Sequence, residues 1–169
     1  MIRVSDVQVK PMELDHLDDL VEIYLSSFKG MRSKDVVRRW FECNIRAYPR
    51  IQCFVALSGE RVIGYILWME RGGFREESVW ELEQIAVDPR FRGMGIGRRL
   101  IEDSINYLKA YLENRQPKSK LKLIFVSSAS SNKIARRLYE EVLGAKEEAV
   151  IHNLYRDDEI IYIARYHTG

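Results

Sequence analysis

Cysteine is scarce in this chain: Cys43 and Cys53 are the two among 169 residues. Two thiols do not build a disulfide framework, and no C-x-x-C pair offers zinc spacing. Both are expected to be buried structural thiols, Cys43 on a helical pattern and Cys53 on a strand pattern. No apolar run approaches the ~20 residues that cross a bilayer. The N-terminus has no basic stretch followed by an apolar one, so no signal peptide is expected. These absences predict a cytoplasmic protein with no membrane partner. An excess of one charge is missing too: 27 basic against 25 acidic residues leave a net charge of +2. Bulk charge therefore does not argue for nucleic acid. The histidines His16, His152 and His167 lack metal-ligand spacing, so no metal is expected and surface positions are. With no repeats, low-complexity segments or linkers, residues 1–169 are expected to form one domain.

What is present is a clear run of periodic segments. Residues 2–10 alternate in part and predict a strand ending at Pro11. Leu14, Leu17, Val21, Tyr24, Leu25 and Phe28 recur at helical spacing, so 14–28 is an amphipathic helix. Ser33 is a plausible N-cap for a second helix with Val37, Trp40, Phe41, Asn44, Ile45 and Tyr48 on one face, closed by Pro49. A hairpin follows, 52–57 and 61–69, turning at Ser58-Gly59-Glu60. Gly72-Gly73 opens a loop before a strand at 79–87. A helix from Gly95 places Leu100, Ile101, Ile105, Leu108 and Leu112 inward. Residues 121–127 contain a dense apolar stretch, as expected of a central strand covered on both faces. A helix at 132–142 and strands near 146–152 and 159–165 complete the order. That order predicts an α+β domain with one mixed, mostly antiparallel sheet and helices on both faces.

Between the 79–87 strand and the following helix lies Asp-Pro-Arg-Phe-Arg-Gly-Met-Gly-Ile-Gly-Arg-Arg, residues 88–99. Glycine lets main-chain amides approach a ligand, and a helix N-terminus presents unpaired N–H groups and partial positive charge. Such a turn suits a phosphate or diphosphate. Arg90, Arg92, Arg98 and Arg99 flank it. Lys133, Arg136 and Arg137 add positive charge to a second motif downstream. A dinucleotide fingerprint requires glycine where Arg98 stands, and a Walker A loop requires Gly-Lys-Ser/Thr, which is missing.

The remaining pattern, Arg92-x-x-Gly95-x-Gly97 after Ile85-Ala86-Val87-Asp88-Pro89, resembles the acyl-CoA-binding motif of the GCN5-related N-acetyltransferases (the GNAT superfamily). A second segment, Asn132-Lys133-Ile134-Ala135-Arg136-Arg137-Leu138-Tyr139 followed by Leu143-Gly144, resembles that family's second motif. The resemblance implies a three-layer α/β/α fold whose central strands splay to admit the cofactor, acetyl-CoA. It implies cofactor contacts from Ile85, Ala86, Val87, Arg92, Gly93, Met94, Gly95, Ile96, Gly97, Arg98, Asn132 and Tyr139. Amides of the glycine turn would take the diphosphate; Ile85 and Val87 would pair with the pantetheine arm. Asn132 is read as a contact to that arm, as a helix N-cap, or as both.

Acetyl transfer to an amine requires a held donor, a neutral nucleophile and a stabilised thiolate. By the resemblance Tyr139 is the general acid; by residue type alone it is a core aromatic. Glu81 matches the family's general-base position and Glu83 an acidic position of small-molecule members. Both alternate onto one face of their strand. The implied activity is acetyl-CoA-dependent transfer to a primary amine of unspecified identity, by direct attack on the thioester. An acyl-CoA sensor without turnover is the alternative. A homodimer is a further partner the resemblance allows. Asp157, Asp158 and Glu159 in the last turn are read either as attractors of a cationic amine or as solvated turn residues, the latter preferred.

Overall fold

A computed structural model describes residues 2–30 and 32–166. The strands form a seven-stranded sheet in the order β1-β2-β3-β4-β5-β7-β6. β1 with β2, β2 with β3, β5 with β7 and β6 with β7 pair antiparallel, and β4 with β5 pairs in parallel. The packing divides into two compact units. One runs to Met69 and takes in Glu83–Ser104; the other holds Glu70–Leu82 and the chain from Ile105 onward.

In the first unit β1 (Val7–Pro11), β2 (Ile51–Ser58) and β3 (Arg61–Arg71) form a meander, with helices α1 (Leu17–Ser27) and α2 (Lys34–Arg46). Leu20, Val21, Tyr24, Val37 and Phe41 from the helices share one core with Val55, Leu57, Val62 and Tyr65 from the strands. Strand alternation sends Trp68 to the other face, where its indole N–H donates to Ser104 Oγ at 2.9 Å. Ser104 belongs to helix α3 (Ile96–Asn114). Val62–Trp68 of β3 is accordingly buried without interruption. Gly64 is needed there for a close approach: a Cβ would lie 3.0 Å from the Ala86 carbonyl oxygen and 3.1 Å from Leu100 Cδ1.

In the second unit the first half of β4 (Glu77–Val87) pairs with β5 (Lys120–Ala129), from Glu77↔Lys120 to Glu81↔Phe125. Strand β7 (Glu159–Arg165) pairs with β5 on its other side and with β6 (Lys146–Ile151). Partners across a ladder share a face. Trp80, Ile124, Val126 and Tyr162 therefore lie on one face, where the second half of α3 and helix α4 (Lys133–Leu143) pack. Glu81, Phe125, Ser127, Ile161 and Glu159 lie on the other.

Several expectations are corrected. β5 is buried on one face and half-buried on the other, because this unit's helices stack on a single side; β2 and β3 are the strands enclosed on both faces. Residues Val4–Asp6 make a 3-10 turn, closed by Asp6 N–H to the Arg3 carbonyl, so the first strand starts only at Val7. Leu14–His16 is likewise a 3-10 turn, in which Glu13 and His16 cap each other reciprocally, and α1 begins at Leu17. Tyr48 falls beyond α2 and is exposed, and Trp40 is partly exposed. Cys43 is exposed rather than buried, whereas Cys53 is half-buried with its thiol pushed up to about 12 by desolvation. His167 lies outside the described residues.

Candidate active site

The glycine turn is built from the bottom by Asp88. Its buried carboxylate accepts from the Arg90 amide and from Arg90 Nε and Nη2, at 3.0, 3.0 and 2.6 Å. Its own amide donates to Ile63 O. These bonds fold Pro89–Phe91 into a 3-10 turn and launch the chain into Gly93 and Gly95. Both glycines have left-handed backbones, φ +76° and +81°, which other L-residues adopt only with strain. The first intrahelical bond of α3 runs from Arg99 N–H to Gly95 O at 3.1 Å, so Gly95 is the N-cap. Helices α2 and α4 are capped by side chains, Ser33 Oγ to Val36 N–H and Asn132 Oδ1 to Ala135 N–H. Glycine has no side chain to do this. The amides of Ile96, Gly97 and Arg98 precede the intrahelical ladder, and the positive end of the helix dipole lies at their position. That is a donor set suited to a diphosphate.

The arginines flanking the turn also make contacts within the chain. Arg92 Nε donates to Val87 O and its Nη2 to Ser27 Oγ, both at 3.0 Å. Arg98 pairs with Glu102, and Arg99 with Asp103, Val4 O and Val7 O. Arg92 and Arg99 thereby tie the turn and the start of α3 to the surrounding chain. Ile85 and Val87 are half-buried, Ala86 is buried, and Met94 is half-buried between the glycines.

Glu83 belongs to the same unit and is exposed. Glu81 belongs to the other unit and is largely enclosed. Arg71 Nη1 lies 3.1 Å from Glu81 Oε2, yet that oxygen is buried with no hydrogen bond. The guanidinium therefore compensates charge without directing an N–H at the oxygen. Burial raises the Glu81 carboxyl above its ordinary value, and Arg71 opposes the rise. A carboxylate so placed is a competent proton acceptor.

Asn132 and Tyr139 share that unit. Asn132 spends Oδ1 on its helix cap and keeps its Nδ2 hydrogens, so the cap and a ligand contact are compatible. Tyr139 is 6% exposed and packs against Tyr162 with ring centroids 6.5 Å apart. Burial, reinforced by the Glu159 carboxylate, pushes its hydroxyl up to about 12. The phenol thus remains a proton donor across physiological pH. Gly144, φ +63°, ends α4 as a left-handed cap whose amide donates to Tyr139 O.

Residues 17–145 match the acetyltransferase (GNAT) family. The chain belongs to that family. An N-acetyltransferase of Methanocaldococcus jannaschii is 28% identical over 161 residues, spanning 90% of this chain and 66% of its own length. The chain thus covers just under two thirds of that relative. Among solved structures, the ribosomal-protein-S18-alanine N-acetyltransferase of Escherichia coli superposes with TM-score 0.76 at 21% identity, covering 96% of each chain. The NatC complex bound to Gag peptide and CoA contains a chain superposing with TM-score 0.76 at 16% identity, over 96% of this chain and 99% of that one. At such identity these two establish the fold: the mixed, mostly antiparallel sheet and helices of a GNAT acetyltransferase.

Sequence reasoning passed over two things and misjudged part of a third. Asp88 was legible as an N-cap directly before proline at the first helical position. The Arg92–Ser27 bond joins residues 65 positions apart and left no local signal. The last turn is the third: the solvated reading is corrected for Glu159, while Asp157 and Asp158 stay part-exposed turn residues held by hydrogen bonds. Asp157 accepts from Ser130 Oγ and Ser131 N–H, and hydrogen bonds from these serines hold its carboxyl down at about 2. Asp158 takes His152 Nδ1 at 2.9 Å and Asn153 N–H at 3.0 Å. Glu159 is buried. Among the described residues no cluster of His, Cys, Asp and Glu could hold a metal ion, and no helix is long and apolar enough to cross a membrane.

Proposed function

We propose that this chain is an acetyl-CoA-dependent N-acetyltransferase that acetylates a primary amine by direct attack on the thioester, residues 1–169 acting as one catalytic domain. The observation that carries the reading is the side-chain-free N-cap of α3, preceded by two left-handed glycines. The amides of Ile96, Gly97 and Arg98 would hold the diphosphate, with Gly93, Met94 and Arg92 shaping the approach. The family match over 17–145 supports acetyl-CoA as the donor, and CoA in the NatC structure agrees. When bound, the donor supplies an electrophilic carbonyl carbon and a thiolate leaving group.

The chain's own residues supply the proton chemistry. Glu81 takes a proton from the ammonium, directly or through water, which exposes the nitrogen lone pair. Tyr139 donates its hydroxyl hydrogen toward the departing sulfur. Its high pKa is matched to a thiol enclosed in the same apolar setting, because burial raises thiol pKa values as well. Asn132 would hold the pantetheine arm through Nδ2. The exposed free thiol Cys43 fits a reducing, cytoplasmic compartment.

Two measurements test this. Calorimetric titration with acetyl-CoA should show micromolar binding that Gly95→Glu abolishes. A thiol-reactive dye should report free CoA only when an amine is added. Binding without thiol release from any amine would favour a sensor, and no binding at all would remove the cofactor assignment.

A further inference from the structure

Glu159 opens β7 and is 7% exposed. Ser127 Oγ donates to its Oε1 at 2.9 Å. Among the described residues, no lysine, arginine or histidine forms an ion pair with it, whereas its neighbours are provided for: Asp158 has His152, and Glu81 has Arg71. A carboxylate buried with one neutral donor and no cation is expensive, because desolvation of the charge goes uncompensated. Chains rarely retain such a group unless something positive completes it.

The surroundings indicate what completes it. Ser127 and Phe125 extend along the same face of β5 toward Glu81, and both are half-buried, so this face is reachable beside Glu159. Tyr139, the proton donor of the proposed reaction, feels the Glu159 charge. A cation beside Glu159 would therefore lie within electrostatic range of Tyr139. It must be small enough to pass over Ser127 and apolar enough next to its charge to lie on Phe125.

We infer that Glu159 is the anionic anchor for the acceptor's ammonium group, oriented by Ser127, and that it selects protonated primary amines on a carbon chain. The inference rests on the proposed acetyl transfer. The role of Glu159 is binding, not proton removal.

Glu159→Gln tests it, because the amide keeps an oxygen for Ser127 and removes only the charge. The acceptors are a Ser-Ala peptide with a free N-terminus, Nα-acetyl-lysine methyl ester and spermidine, each at saturating acetyl-CoA. For whichever amine the wild type uses, the variant should raise KM about tenfold or more. Its kcat and acetyl-CoA affinity should stay near wild type. Without amine, its Tm should equal or exceed wild type, since an uncompensated buried charge has been removed. A merely structural Glu159 would lower Tm and leave KM unchanged, and either result overturns the inference. If the wild type binds acetyl-CoA yet acetylates none of the three, the catalytic reading falls and the inference with it. If the wild type is active and the variant's KM is unmoved, the inference alone falls.

Discussion

Glu81 Oε2 and Arg71 Nη1 stand 3.1 Å apart with no hydrogen bond aligned between them. Coulomb attraction holds the carboxylate charged while burial resists it, and burial prevails: the pKa is raised. Two pH effects follow. Catalysis through a Glu81 base requires the deprotonated form, so kcat/KM should climb with pH around a midpoint above 4.5. Arg71→Met removes the opposing charge and should move that midpoint higher. Glu81→Gln should erase the limb and lower kcat/KM by about 100-fold. Stability moves the other way. Between the unfolded and the raised folded pKa, the native state binds more protons than the unfolded one. The contribution of this group is therefore full below the unfolded value and is lost as pH rises through the folded one. Urea denaturation across that window should show the decline in wild type and not in Glu81→Gln.

Gly95→Ala separates backbone strain from loss of the ligand. A Cβ at residue 95 has room, 3.8 Å from Val4 Cγ2, so the difficulty is the φ of +81°. Stability should drop by about 1–2 kcal/mol, and acetyl-CoA should bind about tenfold more weakly. Gly73→Ala is the control. Its φ of +75° imposes similar strain with open space around it, and cofactor affinity should not change. Calorimetry and thermal melts read both quantities.

Tyr139→Phe keeps the ring packed on Tyr162 and deletes the proton. With the hydroxyl up at about 12, the wild type should show no alkaline loss of rate from this group below about pH 11. The variant should lose about 100-fold in kcat while acetyl-CoA affinity and Tm stay close to wild type. A KM effect without a kcat effect would assign Tyr139 to packing.

Among the described residues the most buried ion pair is structural. Arg115 Nη1 lies 2.8 Å from Glu70 Oε1, with 6% and 7% of the two side chains exposed, and Ser78 Oγ adds a bond at 2.7 Å. Arg115→Met strands a buried carboxylate and should destabilise by about 3–5 kcal/mol. Adding Glu70→Gln removes the stranded charge and should recover part of that loss. A double-mutant cycle in urea measures it, and acetyl-CoA affinity should not follow.

Local chemistry made much of this chain legible. Ser33 and Asn132 cap their helices through the side-chain oxygens their positions predicted. Leu100, Ile101, Ile105, Leu108 and Leu112 turn inward as their spacing requires. Gly93 and Gly95 take backbones that few other residues accept. These features depend on periods of two or 3.6 residues and on single-residue conformational limits, which a linear chain displays openly. Faces and partners were decided elsewhere. β5 was expected to be covered twice because it is apolar, but coverage depends on which side helices stack, and that follows from connections tens of residues long. Arg92, though exposed, reached Ser27, and Glu159 went inside from a turn that looks solvated, because burial and hydrogen bonding at long range are summed over the whole packing. Residue order specified the turn, the helices and the family motifs; only the folded chain determined which charges were paired and that Glu159 lies buried with Ser127 beside it.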